Sequence, residues 1–337
     1  MRLGYPNSML AAETPTETPT ETPTAPLPMV LDEVEVETVE RISPSFVRVE
    51  LGGPALADFG VDGPLYDQRI KLVFPDDAGR LPSFAGADDS WWGTWLDLPE
   101  SERGHLRTYS VRAVRGTPAE PRLVVDLVLH LEHDATGPGS AWAAQAAPGD
   151  RLVVMAPRRG VPFGGIEFTP GTASELLLVG DETAAPAICR ILEDLDRDAR
   201  GAAFVEVPVG RDATALAGVP APANVDVVWL PRDGAPHGSR LDREVRRHLG
   251  VAGSDDPVPE TEVDPDLWET PVYSSSGEDV DLPVATVGHD LDGVYAWIAG
   301  ESGTVTGLRR LLVRELGMDR RQVAFMGYWR RGVAMRS

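Results

Sequence analysis

The chain of 337 residues is 42% hydrophobic with a formal net charge of -22, which is enough apolar material for two domains of ordinary size and an acidic balance that repels phosphate backbones and anionic bilayers. Neither nucleic acid nor a membrane is therefore an expected partner. No apolar run reaches the roughly 18 to 20 residues of a spanning helix, Met1 to Leu10 lacks a signal peptide's apolar core, and Cys189 is the sole cysteine, so a cytoplasmic protein is expected, without disulfides, an iron–sulfur cluster or a cysteine-rich zinc site.

Residues 1–28 are expected to be a disordered tail, because Glu13 to Thr24 reads ETPTETPTETPT and holds nothing that can build a core. From Val30 onward VLDEVEVETVERI, SFVRVEL, QRIKLVF, RTYSVRAV, RLVVDLVLHL and DRLVVMAP alternate apolar and polar positions between turn residues. Short strands so closely spaced predict an antiparallel, six-stranded Greek-key β-barrel over 29–168. After Pro170 the pattern changes: ELLLVGDET, APAICRILEDL, AAFVEVPVG, VDVVWLP, RLDREVRRHL, YAWIAGE and TGLRRLLVREL alternate strand-like and helix-like runs. That alternation predicts a doubly wound parallel sheet over 169–337. Residues 251–292 interrupt it with twelve acidic side chains and no lysine or arginine, and are expected to form a solvated surface excursion.

Four segments carry types of residue suited to a dinucleotide. Strand alternation puts Arg107 and Tyr109 on one face and Thr108 and Ser110 on the other. A guanidinium binds a pyrophosphate, a phenol ring lies against an isoalloxazine and a hydroxyl bonds its polar edge, although an ordinary exposed strand explains the same four residues. His130 precedes Gly137-Pro138-Gly139-Ser140 and a helix-like run with Trp142, where bare backbone N–H groups suit a phosphate or simply begin a capped helix. Gly180-Asp181-Glu182-Thr183 follows one strand and Gly300-Glu301-Ser302 another, the positions where doubly wound sheets bind dinucleotides. Tyr328 and Trp329, with Arg330 and Arg331, come near the end of the sequence and either pack a core or return over a flavin. Lys71 is the only lysine among 31 basic residues, and an ammonium does not substitute for a guanidinium in a tight site; an ordinary exposed lysine is the plain alternative.

Taken in order, Asp67-Gln68-Arg69-Ile70-Lys71, the RTYS segment, VLH with GPGSAWA, GDETAAPAI, AGES and GYWRRG resemble the siderophore-interacting protein family of ferric-siderophore reductases, within the ferredoxin-reductase-like superfamily. The resemblance spans nearly all of the chain from about residue 30 apart from the acidic stretch. It implies FAD on the barrel, NADH or NADPH (or a ferredoxin) as electron source, and a ferric siderophore as the substrate reduced to release Fe(II). It also implies roles by position: Arg107, Tyr109 and Ser110 on the flavin, Gly137 to Ser140 on its phosphates, His130 beside it, Gly180 to Thr183 and Gly300 to Ser302 on the nicotinamide side, and Lys71 and Arg330 facing the chelate. No side chain is then expected to act as general acid or base. Three features depart from the family pattern: Arg69 where histidine is frequent, the long LEHDAT before the glycine turn, and the stretch 251–292. A flavin reductase for another acceptor, such as a quinone, free flavin or a partner oxygenase, and a siderophore-binding protein without turnover are the competing readings. Arg211 leaves NADH and NADPH open, because it suits either a 2'-phosphate or the surface. A monomer is expected for want of an evident symmetric apolar surface.

Overall fold

The computed structural model describes residues 27–130, 136–251, 268–271, 273–274 and 291–332. The Pro/Thr/Glu tail and most of the acidic stretch thus lie outside the described residues.

The first half is one sheet built from β1 (Met29–Arg41), β2 (Phe46–Gly52), β3 (Arg69–Phe74), β4 (His105–Ser110), β5 (Ala113–Thr117), β6 (Glu120–Val128) and β7 (Arg151–Pro157). Every pairing is antiparallel, in the order β4-β3-β7-β1-β2-β6-β5. The two ends of that order, β4 and β5, are separated in sequence only by Val111 and Arg112, so one bent stretch of chain joins the edges and closes the sheet on itself. Val111 N–H bonds Gln68 O at 2.8 Å and Arg112 N–H bonds Val124 O at 2.9 Å, which continues the ladder through the bend. Counted as one bent strand, β4 and β5 give the six strands expected. Alternation sends Val34, Val36, Val49, Leu51, Ile70, Leu72, Leu123, Val125, Leu152 and Val154 into a single core inside the barrel. A short helix, α1 (Trp91–Leu96), lies between β3 and β4, and another, α2 (Pro138–Ala143), between β6 and β7.

The second half contains β8 (Glu175–Gly180), α3 (Ala185–Asp194), β9 (Arg200–Val207), α4 (Gly210–Leu216), β10 (Asn224–Pro231), α5 (Ser239–His248), β11 (Trp268–Thr270), β12 (Tyr273–Ser274), β13 (Val294–Glu301), α6 (Ser302–Arg309) and β14 (Val323–Trp329). The sheet order is β10-β9-β8-β13-β14-β11-β12, parallel from β10 to β14. Residues of α3 and α4 share one core with the sheet, those of α5 and α6 another on its opposite face, which is the doubly wound arrangement. The chain winds outward from β8 to β10 and then returns to β13 on β8's other side, so the topological switch lies between β8 and β13. The acidic stretch does not remain wholly at the surface. Trp268–Thr270 pairs antiparallel with β14, and β12 pairs with it in turn, because WETPVYS is the part of that stretch with β-forming side chains.

The halves are joined by buried polar contacts. Asp212 in α4, fully buried, accepts from Ser43 Oγ at 2.6 Å, Ser45 N at 3.0 Å and Ser45 Oγ at 2.8 Å in the β1–β2 turn. Arg112 bonds Glu193 of α3 through two nitrogens at 2.8 and 2.6 Å. Asp67 accepts from Glu167 N, Phe168 N and Trp297 Nε1 on β13 at 3.1 to 3.2 Å; its burial pushes its pKa up despite those bonds. Phe46 of the barrel packs in the core of the second half.

Candidate functional site

The barrel side of the site forms where β4 meets α2. Tyr109 points inward beside Phe74, with ring centroids 5.9 Å apart, and Phe74 in turn meets Trp142 at 5.2 Å. A Cβ on Gly139 would lie 2.1 Å from the Tyr109 hydroxyl, so only glycine lets the turn approach the tyrosine this closely. Burial pushes the Tyr109 pKa up, and the phenol stays neutral. Arg107 is half-buried on the same face; its guanidinium bonds only Leu106 O, at 2.6 Å, and pairs with no carboxylate among the described residues. Burial lowers its pKa, so a bound anion would relieve a charge that the fold leaves uncompensated. Pro138 opens α2 at a position where its missing N–H costs nothing. Ser140 Oγ accepts from His130 N at 2.8 Å, and Thr136 Oγ donates to His130 O at 3.0 Å, so the glycine turn and the end of β6 hold each other. An uncompensated guanidinium, a tyrosine seated on a glycine turn and the bare backbone of Gly137 together fit a flavin diphosphate.

Across from it stand the carboxyl ends of β8, β13 and β14. Gly180 pairs with Ala299 in the register of β8 and β13, which puts both glycine segments at the switch point. Gly300 has φ of +143°, and a Cβ there would lie 2.7 Å from the Asp181 carboxylate. Asp181 fills that space and accepts from Thr183 N at 2.8 Å, Glu301 N at 2.7 Å and Trp329 Nε1 at 2.9 Å. Burial, and then Glu182, push its pKa up. Glu182 is fully buried under Arg232, which donates to it at 2.6 and 2.9 Å and to Glu206 at 3.3 Å. The two carboxylates of the GDET segment are therefore engaged within the protein and frame the crevice, while Thr183 is partly exposed at its rim. Glu301 caps α6 through Thr304 N at 2.9 Å, and Ser302 Oγ donates to Trp329 O at 3.0 Å.

The two sides meet. His130 Nδ1 is 3.9 Å from Glu182, and its ring centroid is 5.3 Å from that of Trp329. His237 meets the same indole from another direction at 5.2 Å; burial and then Arg232 lower its pKa. The Tyr328 hydroxyl is buried without a hydrogen-bond partner among the described residues and lies beside Ser110, so the end of β14 adjoins the RTYS strand. Lys71 lies on the outer face of β3 and donates to Thr108 Oγ at 3.2 Å. Its pKa is lowered, first by burial and then by Arg69. Neither Lys71 nor Arg330 pairs with a carboxylate among the described residues. Arg211 is exposed at the start of α4.

Sequence reasoning overlooked Arg232, His237 and Trp268. His237, in the turn GAPHGS just beyond β10, carried the only usable signal, because a loop histidine past the carboxyl end of a strand lies where such sheets bind ligands.

Residues 35–161 match the family model described as a siderophore-interacting FAD-binding domain, and residues 173–332 match the one described as siderophore-interacting protein. The chain belongs to the siderophore-interacting protein family. The match to the FAD-binding domain falls on the barrel. This siderophore-interacting protein is 35% identical over 308 residues to an uncharacterized protein of Mycobacterium tuberculosis, covering 90% of this chain and 91% of the relative. It is 27% identical over 308 residues to the ferric vibriobactin reductase ViuB of Vibrio cholerae, covering 90% of each. Among solved structures, a siderophore utilization protein from T. fusca superposes with a TM-score of 0.61 at 29% identity, over 92% of this chain and 96% of that one.

Proposed function

We propose that the chain is an FAD-dependent NAD(P)H:ferric-siderophore oxidoreductase, with an FAD-binding unit over 29–168 and a nicotinamide-binding unit over 169–337. The observation that carries this reading is the meeting of the flavin-holding face of the barrel with the switch point of the parallel sheet, His130 reaching Glu182 and Trp329 while Tyr328 adjoins Ser110. The Vibrio cholerae relative's name, ferric vibriobactin reductase, agrees with it.

Bound FAD supplies the conversion of a hydride's electron pair into the single electrons that Fe(III) accepts. Arg107 would neutralise the pyrophosphate, the backbone N–H groups of Gly137, Gly139 and Ser140 would donate to its oxygens, and Tyr109 and Ser110 would hold the ring. The loops Gly180–Thr183 and Gly300–Ser302 open the crevice in which the nicotinamide lies, with Trp329 fixed at its edge by Asp181. Lys71 and Arg330 attract an anionic ferric siderophore, and local charge governs that encounter because the screening length is about 8 to 10 Å. No side chain serves as general acid or base. Iron leaves because hard oxygen donors hold Fe(II) far less tightly than Fe(III). In this reading the reaction takes place in the cytoplasm, where NAD(P)H is supplied, and the unit is a monomer. A ferredoxin is the alternative electron donor.

The test is the spectrum of the flavin-loaded protein under anaerobic conditions. Bleaching by NADH or NADPH, then recovery on addition of a ferric siderophore as a ferrous trap colours, supports the reading. Flavin bleached by a reduced ferredoxin alone replaces the donor. Faster reoxidation by a quinone or free flavin than by every ferric chelate overturns the substrate, and failure to take up FAD overturns the whole assignment.

A further inference from the structure

The strand β11 comes from the acidic stretch, yet it is fastened at both ends of its breadth. Glu269 is 3% exposed and accepts from Arg309 at 2.7 and 3.1 Å and from Arg320. Arg309 ends α6, so Glu269 faces the helix side of the sheet, and alternation turns Trp268 to the opposite side. There the indole centroid lies 4.2 Å from Arg69 Cζ of the barrel and 6.0 Å from the Tyr328 ring, nearly parallel at 20°. The Arg69 guanidinium is held between that indole and the carboxylate of Glu167. Arg69 and Lys71 are two residues apart on β3 and so share its outer face, with only Lys71 left free of a counter-ion among the described residues.

We propose that Trp268 is a positioning residue for the ferric-chelate site: by pinning Arg69 against Glu167 it fixes the charge and width of the pocket wall beside Lys71 and so sets KM for anionic ferric siderophores. This rests on the ferric-siderophore reading above. Without the indole, Arg69 loses a cation–π partner and leaves Glu167 part of the time. The uncovered carboxylate then repels an anionic chelate that Lys71 attracts. The acidic stretch thereby contributes to the substrate face through one tryptophan, while the flavin and nicotinamide contacts stay as they are.

The experiment uses the full, flavin-loaded chain with Trp268→Leu, Trp268→Phe and Arg69→Met. A ferric triscatecholate is the anionic probe and an uncharged ferric trishydroxamate the control. Flavin reduction by the nicotinamide is timed separately by stopped flow. Trp268→Leu is expected to raise KM for the triscatecholate by about 3- to 30-fold, the span of a cation–π contact from exposed to desolvated. The trishydroxamate KM and the rate of flavin reduction should stay near wild type, and Trp268→Phe should recover most of the loss. Arg69→Met should raise the same KM, and combining it with Trp268→Leu should add little, as expected for two residues acting through one contact. A triscatecholate KM within about twofold of wild type in a normally folded Trp268→Leu overturns the proposal, as does a loss shared equally by flavin reduction. If Trp268→Leu does not fold, Trp268→Phe and Arg69→Met decide in the same way. A wild-type protein that reduces no ferric siderophore overturns the functional reading, and this proposal with it.

Discussion

Replacing Arg232 by methionine removes the one arginine or lysine that, among the described residues, pairs with two fully buried carboxylates. Its side chain is 8% exposed, while those of Glu182 and Glu206 are at 0%. Glu206 would keep three backbone donors, Gly238 N at 2.8 Å, Arg240 N at 3.0 Å and Leu241 N at 3.3 Å. Among the described residues Glu182 would keep only His130, at 3.9 Å. Breaking a buried pair by deleting one partner costs about 3 to 5 kcal/mol. At roughly 2 to 4 °C per kcal/mol for domains of this size, the melting midpoint should fall by about 6 to 20 °C. The sign of the pH dependence follows from burial, which already pushes the Glu206 pKa up with Arg232 in place. In the variant folded Glu206 binds a proton that the unfolded chain, with an ordinary pKa, does not. Its stabilising contribution is complete below the ordinary carboxylate range and is lost as pH rises through the folded value. The deficit should therefore be largest near neutral pH and shrink toward about pH 5. Circular-dichroism melts of wild type and variant at several pH values measure it. A midpoint lowered by less than about 2 °C, or a deficit that grows on acidification, refutes the reasoning.

Arg107→Ala should leave the fold intact and weaken FAD binding about tenfold or more, the worth of a charge-assisted hydrogen bond; full flavin occupancy after prolonged dialysis would remove the arginine from the site. Lys71→Ala should retain FAD and slow reduction of anionic chelates. Burial, then Arg69, lower the Lys71 pKa, so the wild-type KM for such chelates should rise with pH below the range where a free lysine discharges. A Lys71→Ala profile with the same rise would assign it to another group. Asp212→Ala should cost about 2 to 4 kcal/mol by orphaning the donors of the β1–β2 turn, and limited proteolysis should then cut that turn faster than in wild type; an unchanged cleavage rate would mean that the contact does not hold the halves together.

The barrel was legible because alternation with period two runs through β1 to β7, and the parallel sheet because apolar strands alternate with helical runs ending in GDET and AGES. The glycine turn and the RTYS strand were legible as candidate contacts, but their meeting at Tyr109 and Gly139 was not, since nothing local links residues 30 apart in sequence. Asp181 and Glu182 read as ligand-facing residues, and only the fold shows their carboxylates engaged by Trp329 and Arg232. Asp212 belongs to the turn at Ser43 to Ser45 across most of the intervening barrel, a pairing with no periodic signature. Trp268 lay hidden because the charge of its neighbours dominated the pattern, although WETPVYS departs from them in β propensity.

The hairpin of β11 and β12 also closes the side of the parallel sheet. Without it β14 would be an outermost strand, with the unpaired backbone of Phe325 and Met326 available to any extended chain. A shortened protein made by excising 251–292 would keep Arg107, Tyr109 and the Gly137–Ser140 turn and gain an adhesive border, so its expected failure is self-association in concentrated solution rather than loss of cofactor.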